Sequence, residues 1–460
     1  MSCRGVLPLA SAVLVGAILG GAAAAGERLA ERPPMGWNSW NSFGVTVNEA
    51  QVKANAEYMA QHLKRHGWEY VVVDLGWYLP PEIDTPGFKI PKPPQEMDAF
   101  GRLLPDPRKF PSAAGGRGFK PLADHVHGLG LKFGIHIMRG IPWQAGRDGV
   151  VVKGTSVPAR EVMDPSRRCE WYHGLVGVHV AKPGGQEYYD SIVALYAEWG
   201  VDYIKADDMS RPYDAAEIEA LARAIRRSGR PIVLSLSPGA TPIERAEHVK
   251  AHAQLWRISP DFWDLWKLLD RQFELCRQWQ PHVGPGHWPD ADMLPLGKLR
   301  ISPDDYVAEQ MGLEMEEITN EYSRFTTPEK HTLLTLWSIF RSPLMMGGHL
   351  PENDPLTLEL LTNDEVITVN QASARSREVL AEGRAVAWAA DAPDGGTYVA
   401  LFNRAEAKAR VEVPLAKLGL SGTWPVRDLW RRAPRGEAQG AVSAEIEPHG
   451  AALLKLTRAR

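Results

Sequence analysis

From Met35 to about Ala372, short β-like runs alternate with helical patterns, and this alternation constrains the fold more than any other feature of the chain. The runs are Tyr70–Asp74, Lys132–His136, Val201–Lys205, Pro231–Leu236 and Gln254–Ile258. The helical patterns fall near Asn48–His66, Gln186–Trp199, Ala215–Arg227, Phe262–Gln278 and Glu329–Phe340. Strands that alternate with helices build βα units around a parallel sheet. The runs are largely apolar on both faces, as a sheet covered on both sides requires. Eight such units close a barrel of about 250 residues, longer with insertions. Two stretches, Leu79–Lys120 and Leu299–Thr327, read as long loops. After Ala372 the pattern changes. Arg384–Ala390, Thr397–Phe402, Ala409–Val413 and Ala451–Leu456 are short strands separated by turn residues such as Asp394-Gly-Gly396. They predict an antiparallel β-sandwich. The expected fold class is α/β: a (β/α)8 TIM barrel over residues 27–372, then a C-terminal sandwich over 373–460.

Residues 1–26 hold one charge, Arg4, then an apolar run from Val6 to Leu19 and the small residues Ala22–Ala25. This is the pattern of a signal peptide, which predicts a secreted or periplasmic protein with no stable membrane insertion after cleavage. A retained anchor is the alternative, since Gly5–Gly26 is long enough to span a bilayer. Cys3 leaves with the segment; whether Cys169 and Cys276 pair is not readable from sequence, though Cys276 falls in an apolar helical pattern. The net charge of −4 disfavours a nucleic-acid partner. Three cysteines in 460 residues exclude a disulfide scaffold. No Gly-rich phosphate loop or dinucleotide fingerprint lies at a strand–helix junction, so no nucleotide cofactor is expected.

Active sites of parallel barrels sit at the C-terminal ends of strands. Those ends carry acids: Asp74, Asp207-Asp208, Asp261, and the pair Asp290 and Asp292. Like charges brought together raise each other's pKa, so such convergence points to a purpose. The two leading purposes are metal binding and a carboxylate pair that cleaves a glycosidic bond. His125-Val-His127 has an H-x-H form but falls on a helical pattern, where residues two apart do not share a face. His136, at a strand end, is a candidate for the site. The carboxylate pair is therefore the leading reading, without a metal.

Several stretches resemble glycoside hydrolase family 27, in the α-galactosidase clan. They are Pro34-Met-Gly-Trp-Asn-Ser-Trp-Asn-Ser-Phe-Gly44, Tyr70–Trp77, Lys132–His136, Asp202–Asp207, Trp256–Asp261, Gly286–Leu294 and Ser342–Met346. The likeness continues into the sandwich at Asp428-Leu-Trp430 and Pro448-His-Gly450. The resemblance implies a retaining double displacement, with Asp207 as nucleophile and Asp261 as general acid/base. Retention implies carboxyl groups about 5–5.5 Å apart. It also implies sugar contacts from Asp74, Lys205, Arg257 and Asp292, a platform at Trp37, and a structural part for Asp290. Asp208 has no counterpart that assigns it a role.

Four departures bear on the substrate. Family members carry two adjacent aspartates after the second strand, where this chain reads Asp74-Leu75. His136 stands in place of a tyrosine, and Arg139 follows as either a pocket charge or an ion pair. The loop Leu236-Ser-Pro-Gly239 stands where the family loop usually carries Cys and a Glu or Ser. Asp208-Met209 replaces a cysteine. The resemblance implies an α-galactosidase acting on an oligosaccharide or glycan. The alternatives are an α-N-acetylgalactosaminide, a β-L-arabinopyranoside or an α-glucan as substrate, or a carbohydrate-binding protein without turnover. The 16 tryptophans fit this class. Trp37, Trp40, Trp77, Trp256, Trp263, Trp266 and Trp288 all lie in or beside the motifs.

Overall fold

A computed structural model of the chain describes Met1 and residues 29–84, 92–302, 305–319 and 321–458. The signal-peptide reading falls outside the described residues. Among them, no helix is long and apolar enough to cross a membrane.

Eight parallel strands form the first sheet: β1 Met35–Asn38, β2 Tyr70–Val73, β3 Lys132–Met138, β4 Tyr203–Asp207, β5 Val233–Leu236, β6 Leu255–Arg257, β7 Trp288–Asp290 and β8 Leu344–Met346. Their order is β7-β6-β5-β4-β3-β2-β1-β8. The ring closes just past β7. Leu294 pairs in parallel with Met346, and its N–H donates to the Met345 carbonyl at 2.8 Å. The sheet is therefore a closed barrel. Gly36 on β1 permits the close approach of β2, because a Cβ there would lie 2.4 Å from the Tyr70 carbonyl oxygen.

The period of two along each strand sorts its side chains. Val71, Val73, Ile204, Ala206, Leu234, Leu236 and Trp256 face outward into the helix-covered core. Tyr70, Val72, Tyr203, Val233, Leu255, Trp288 and Met345 form a separate apolar plug inside the barrel. One or two steps further along that inner face come Asp74, Lys205, Asp207, Ser235, Arg257 and Asp290. The same alternation that fills the barrel floor thus delivers the polar residues to its rim.

A third excursion, unforeseen in the sequence, leaves the barrel after β3. It holds a three-stranded antiparallel sheet of Ile141–Pro142, Met163–Arg168 and Leu175–Val178. The C-terminal sheet has eight antiparallel strands, twice the number the pattern predicts. Among the added ones, Ala374–Glu382 and Ala433–Gln439 are set by pairing with their neighbours rather than by apolar alternation. Ala387, Ala389, Val399, Leu401, Leu454 and Leu456 pack within this module. The intervening Val386, Trp388, Tyr398, Ala400, Phe402 and Leu453 join the core of the barrel instead. Polar contacts reinforce that seam. His449 stacks on Trp266 with ring centroids 3.8 Å apart and pairs with Glu329 at 2.8 Å. The Trp430 indole donates to Thr335 at 2.9 Å.

Candidate active site

A cavity opens at the C-terminal end of the barrel. Asp74, Lys205, Asp207, Arg257, Asp261 and Asp292 all line it. These six candidates come from β4, β6 and the segments that follow β2, β6 and β7.

The acids fall into two kinds. Asp74 accepts from Lys205 Nζ at 2.8 Å, from Asn38 Nδ2 at 2.7 Å and from the Leu75 N–H at 2.8 Å. Burial opposes its charge, but Lys205 and the His136 imidazole outweigh burial and hold the carboxyl well below the usual range. Asp292 faces Arg257 Nη2 at 2.7 Å and accepts from the Phe262 and Met293 N–H groups. Burial, with Asp261 and Asp290 nearby, pushes Asp292 up to about 6 despite the arginine. Burial likewise opposes the charges of Lys205 and Arg257, yet the surrounding carboxylates keep both pKa values raised. The other two acids are more open. Side-chain exposure is 12% for Asp207 and 23% for Asp261, against 3% for Asp74 and 7% for Asp292.

Asp207 is held at both oxygens. Oδ2 accepts from His136 Nε2 at 2.9 Å and Oδ1 from the Asp208 N–H at 2.6 Å. Among the described residues, His136 Nδ1 is buried with no hydrogen-bond partner. The contact to Asp207 fixes the orientation of the ring. His136 therefore stands behind Asp207, only 1% exposed, rather than lining the cavity as a sugar contact. Asp261 accepts from Arg257 at 3.3 Å and from Gln310 Nε2 at 3.2 Å. Gln310 also accepts from the Trp263 indole at 2.9 Å. It belongs to the insertion Leu299–Thr327, and no motif pointed to it.

The platform expected at Trp37 requires correction. Trp37 is fully buried, donates to the Gly348 carbonyl at 2.9 Å and packs edge-on to Phe43. The reason is strand alternation: Asn38 faces inward to Asp74, so its neighbour faces the helices. Trp40, three residues on, lines the cavity, joined by Trp171 and Trp263. Trp40→Ala is expected to raise KM about tenfold, the scale of a lost aromatic contact, with the unfolding midpoint little changed. Trp37→Ala is expected to cost about 3–5 kcal/mol of stability instead. Steady-state kinetics and urea unfolding of both variants separate the two roles.

Asp208 and Arg139 contact each other outside the cavity. Arg139 Nη2 lies 2.6 Å from Asp208, and Nη1 lies 2.9 Å from Glu217. Burial, with Asp207 and Glu217 close by, pushes Asp208 up to about 7 despite the arginine. Both Asp208 (φ 62°) and Asp292 (φ 84°) are in the left-handed region, and such backbone strain gathers at functional sites. The raised Asp208 sets a pH trend. From about pH 4 to 7 the folded chain holds a proton that the unfolded chain releases, so this group's contribution to stability falls as pH rises. Relative to Asp208→Asn, the native chain is expected to lose stability between pH 4.5 and pH 7.5. Urea unfolding of both at pH 4.5 and 7.5 checks this.

The remaining expectations resolve simply. His125 and His127 lie on the helix Lys120–Gly128, and His127 contacts Asp202 at 2.7 Å. Cys169 and Cys276 are buried free thiols. Among the described residues, Ser237 Oγ and Asn41 Oδ1 are buried beside the cavity without hydrogen-bond partners.

A closed parallel barrel with a carboxylate pair, paired acids and aromatic walls at its C-terminal rim defines a glycoside hydrolase. Family models agree: "Alpha galactosidase A" matches residues 172–320, and "Alpha galactosidase C-terminal beta sandwich domain" matches 382–456. A family 27 β-L-arabinopyranosidase from Geobacillus stearothermophilus is 48% identical, with a TM-score of 0.89 over 94% of this chain and 97% of that one. A Bacillus halodurans structure described as an α-N-acetylgalactosaminidase is 45% identical, with a TM-score of 0.82 over 93% and 98%. The α-galactosidase A of Cellvibrio japonicus is 30% identical over 365 residues, covering 75% of this chain and 69% of that protein. The chain belongs to glycoside hydrolase family 27 and is a retaining glycosidase.

Proposed function

We propose that the chain removes terminal β-L-arabinopyranosyl units, with α-D-galactosides as slower substrates. The observation that carries this is Leu75. It lines the cavity beside Asp74, at the place where the family pattern has a second aspartate for the outer hydroxyls. β-L-Arabinopyranose has the ring configuration of α-D-galactopyranose but a hydrogen in place of the hydroxymethyl group. An apolar wall suits the first sugar, whereas a hydroxymethyl placed against it would lose a water partner without gaining another. The whole-length likeness to an arabinopyranosidase supports the same reading. The shared ring configuration and the α-galactosidase relatives support galactoside cleavage as the second activity.

In this reading an Asp207 oxygen attacks the anomeric carbon. The bond from that carbon to the leaving oxygen breaks, and Asp261 passes its proton to that oxygen. Asp261 then takes a proton from water as the water attacks, which releases the sugar and frees Asp207 with retained configuration. Asp74 and Lys205 hold hydroxyls on one side, Arg257 and Asp292 on the other, over Trp40. The division into a barrel over 27–372 and a sandwich over 373–460, and export directed by residues 1–26, are parts of the same proposal.

Aryl glycosides test it. The value of kcat/KM is expected to be highest for the β-L-arabinopyranoside, lower for the α-galactoside, and negligible for the α-N-acetylgalactosaminide and α-glucoside. A higher value for the galactoside would overturn the sugar assignment.

A further inference from the structure

The helices Ala215–Ser228 and Ala246–His252, which follow β4 and β5, meet on the outside of the barrel. Glu219 comes from the first, and His248 and His252, one turn apart on a shared face, from the second. One ligand-capable atom from each lies within 4.8 Å of the other two. His248 Nε2 is 3.2 Å from Glu219 Oε1, and the two imidazole centroids are 4.6 Å apart. Among the described residues, His252 Nδ1 is buried with no hydrogen-bond partner. The glycosidase reaction uses none of these residues.

We propose that Glu219, His248 and His252 bind a divalent transition ion of the zinc class. Two imidazoles and a carboxylate are a ligand set for such ions, with water in the fourth position. Tyr213 supplies the outer support, its hydroxyl 2.5 Å from His248 Nδ1. When Nδ1–H donates to that oxygen, the Nε2 lone pair turns toward Glu219 and the ion. Tetrahedral ligation at about 2.0–2.1 Å draws the ligand atoms closer together than they now lie. Glu219 and His248 have room for that shift, at 43% and 23% side-chain exposure. Arg223 and Arg226 act on His252, and Arg245 lies over the Tyr213 ring. With one carboxylate amid these cations, the site disfavours hard calcium or magnesium, which need several oxygens. The bound ion would clip together the helices behind the nucleophile strand and its neighbour.

Calorimetric titration of the metal-stripped full chain with zinc chloride, then calcium chloride, tests the site. The expected results are one saturable zinc site per chain, a raised thermal midpoint with zinc, and no calcium site. The double variant His248→Gln with His252→Gln is expected to lose zinc binding and the thermal response while keeping glycosidase activity. Tyr213→Phe is expected to weaken zinc binding about 10–100-fold, the usual effect of removing an outer-shell partner. If the double variant does not fold, Glu219→Gln must weaken binding instead. Absence of a zinc site at millimolar zinc, or zinc binding that survives the ligand substitutions, would overturn the proposal.

Discussion

Asp207→Asn is expected to keep the fold and lose about 10⁴-fold or more in kcat, the scale on which removal of a covalent nucleophile acts. The amide cannot accept from both donors that now hold the carboxylate, His136 Nε2 and the Asp208 N–H. A modest loss of stability is therefore expected beside the large loss of rate. Asp261→Asn should behave differently. Loss of proton transfer costs about 10²–10⁴-fold when the leaving group needs a proton. An activated aryl oxide leaves without one, so its release should be spared relative to that of an alkyl leaving group. Kinetics of both variants on an activated aryl glycoside and on a disaccharide measure the contrast. An Asp207→Asn enzyme within tenfold of the native rate would remove Asp207 from the nucleophile's role.

Leu75→Asp is expected to shift the ratio of kcat/KM values toward α-galactoside over β-L-arabinopyranoside by about 100-fold, as pockets do when a polar partner is added or stranded. The side chain is 4% exposed, and its backbone N–H already braces Asp74. A carboxylate there can accept from the galactose hydroxymethyl. Beneath arabinose it would be a buried charge without that partner, which penalises the pentoside. Leu75→Val, which adds no polar atom, should leave the ratio near its native value. An unchanged ratio in Leu75→Asp would show that specificity resides elsewhere in the pocket, for example in Trp171 or the Ser237–Pro238 loop.

The barrel was legible because buried parallel strands and their helices write their periods directly into the residues. Tyr70–Val73 and Ala215–Ser228 lie within about two residues of their predicted spans. Acids at strand ends marked the rim for the same reason. Facing was harder to read. Trp37 and Trp40 are both in one motif, and only the inward turn of Asn38 toward Asp74 decides which indole reaches the cavity. Depth was harder again: His136 shares the inner face with Lys205 but stands behind Asp207. Contacts between distant segments left no local trace. Trp171 arrives on an excursion of short strands that include Pro142 and Pro165, and Gln310 reaches Asp261 from a surface helix. Arg139 could be read as a pocket charge until its partners Asp208 and Glu217 were seen.

The alternating strands of the C-terminal sheet have a thermodynamic consequence. One set of side chains belongs to the module, while the other, including Trp388 and Phe402, belongs to the core of the barrel. Neither part can melt without stripping apolar cover from its neighbour, at roughly 25 cal/mol per Å² laid bare. The barrel and the C-terminal sheet are thereby joined through one shared core, so that loss of either is expected to destabilise the other.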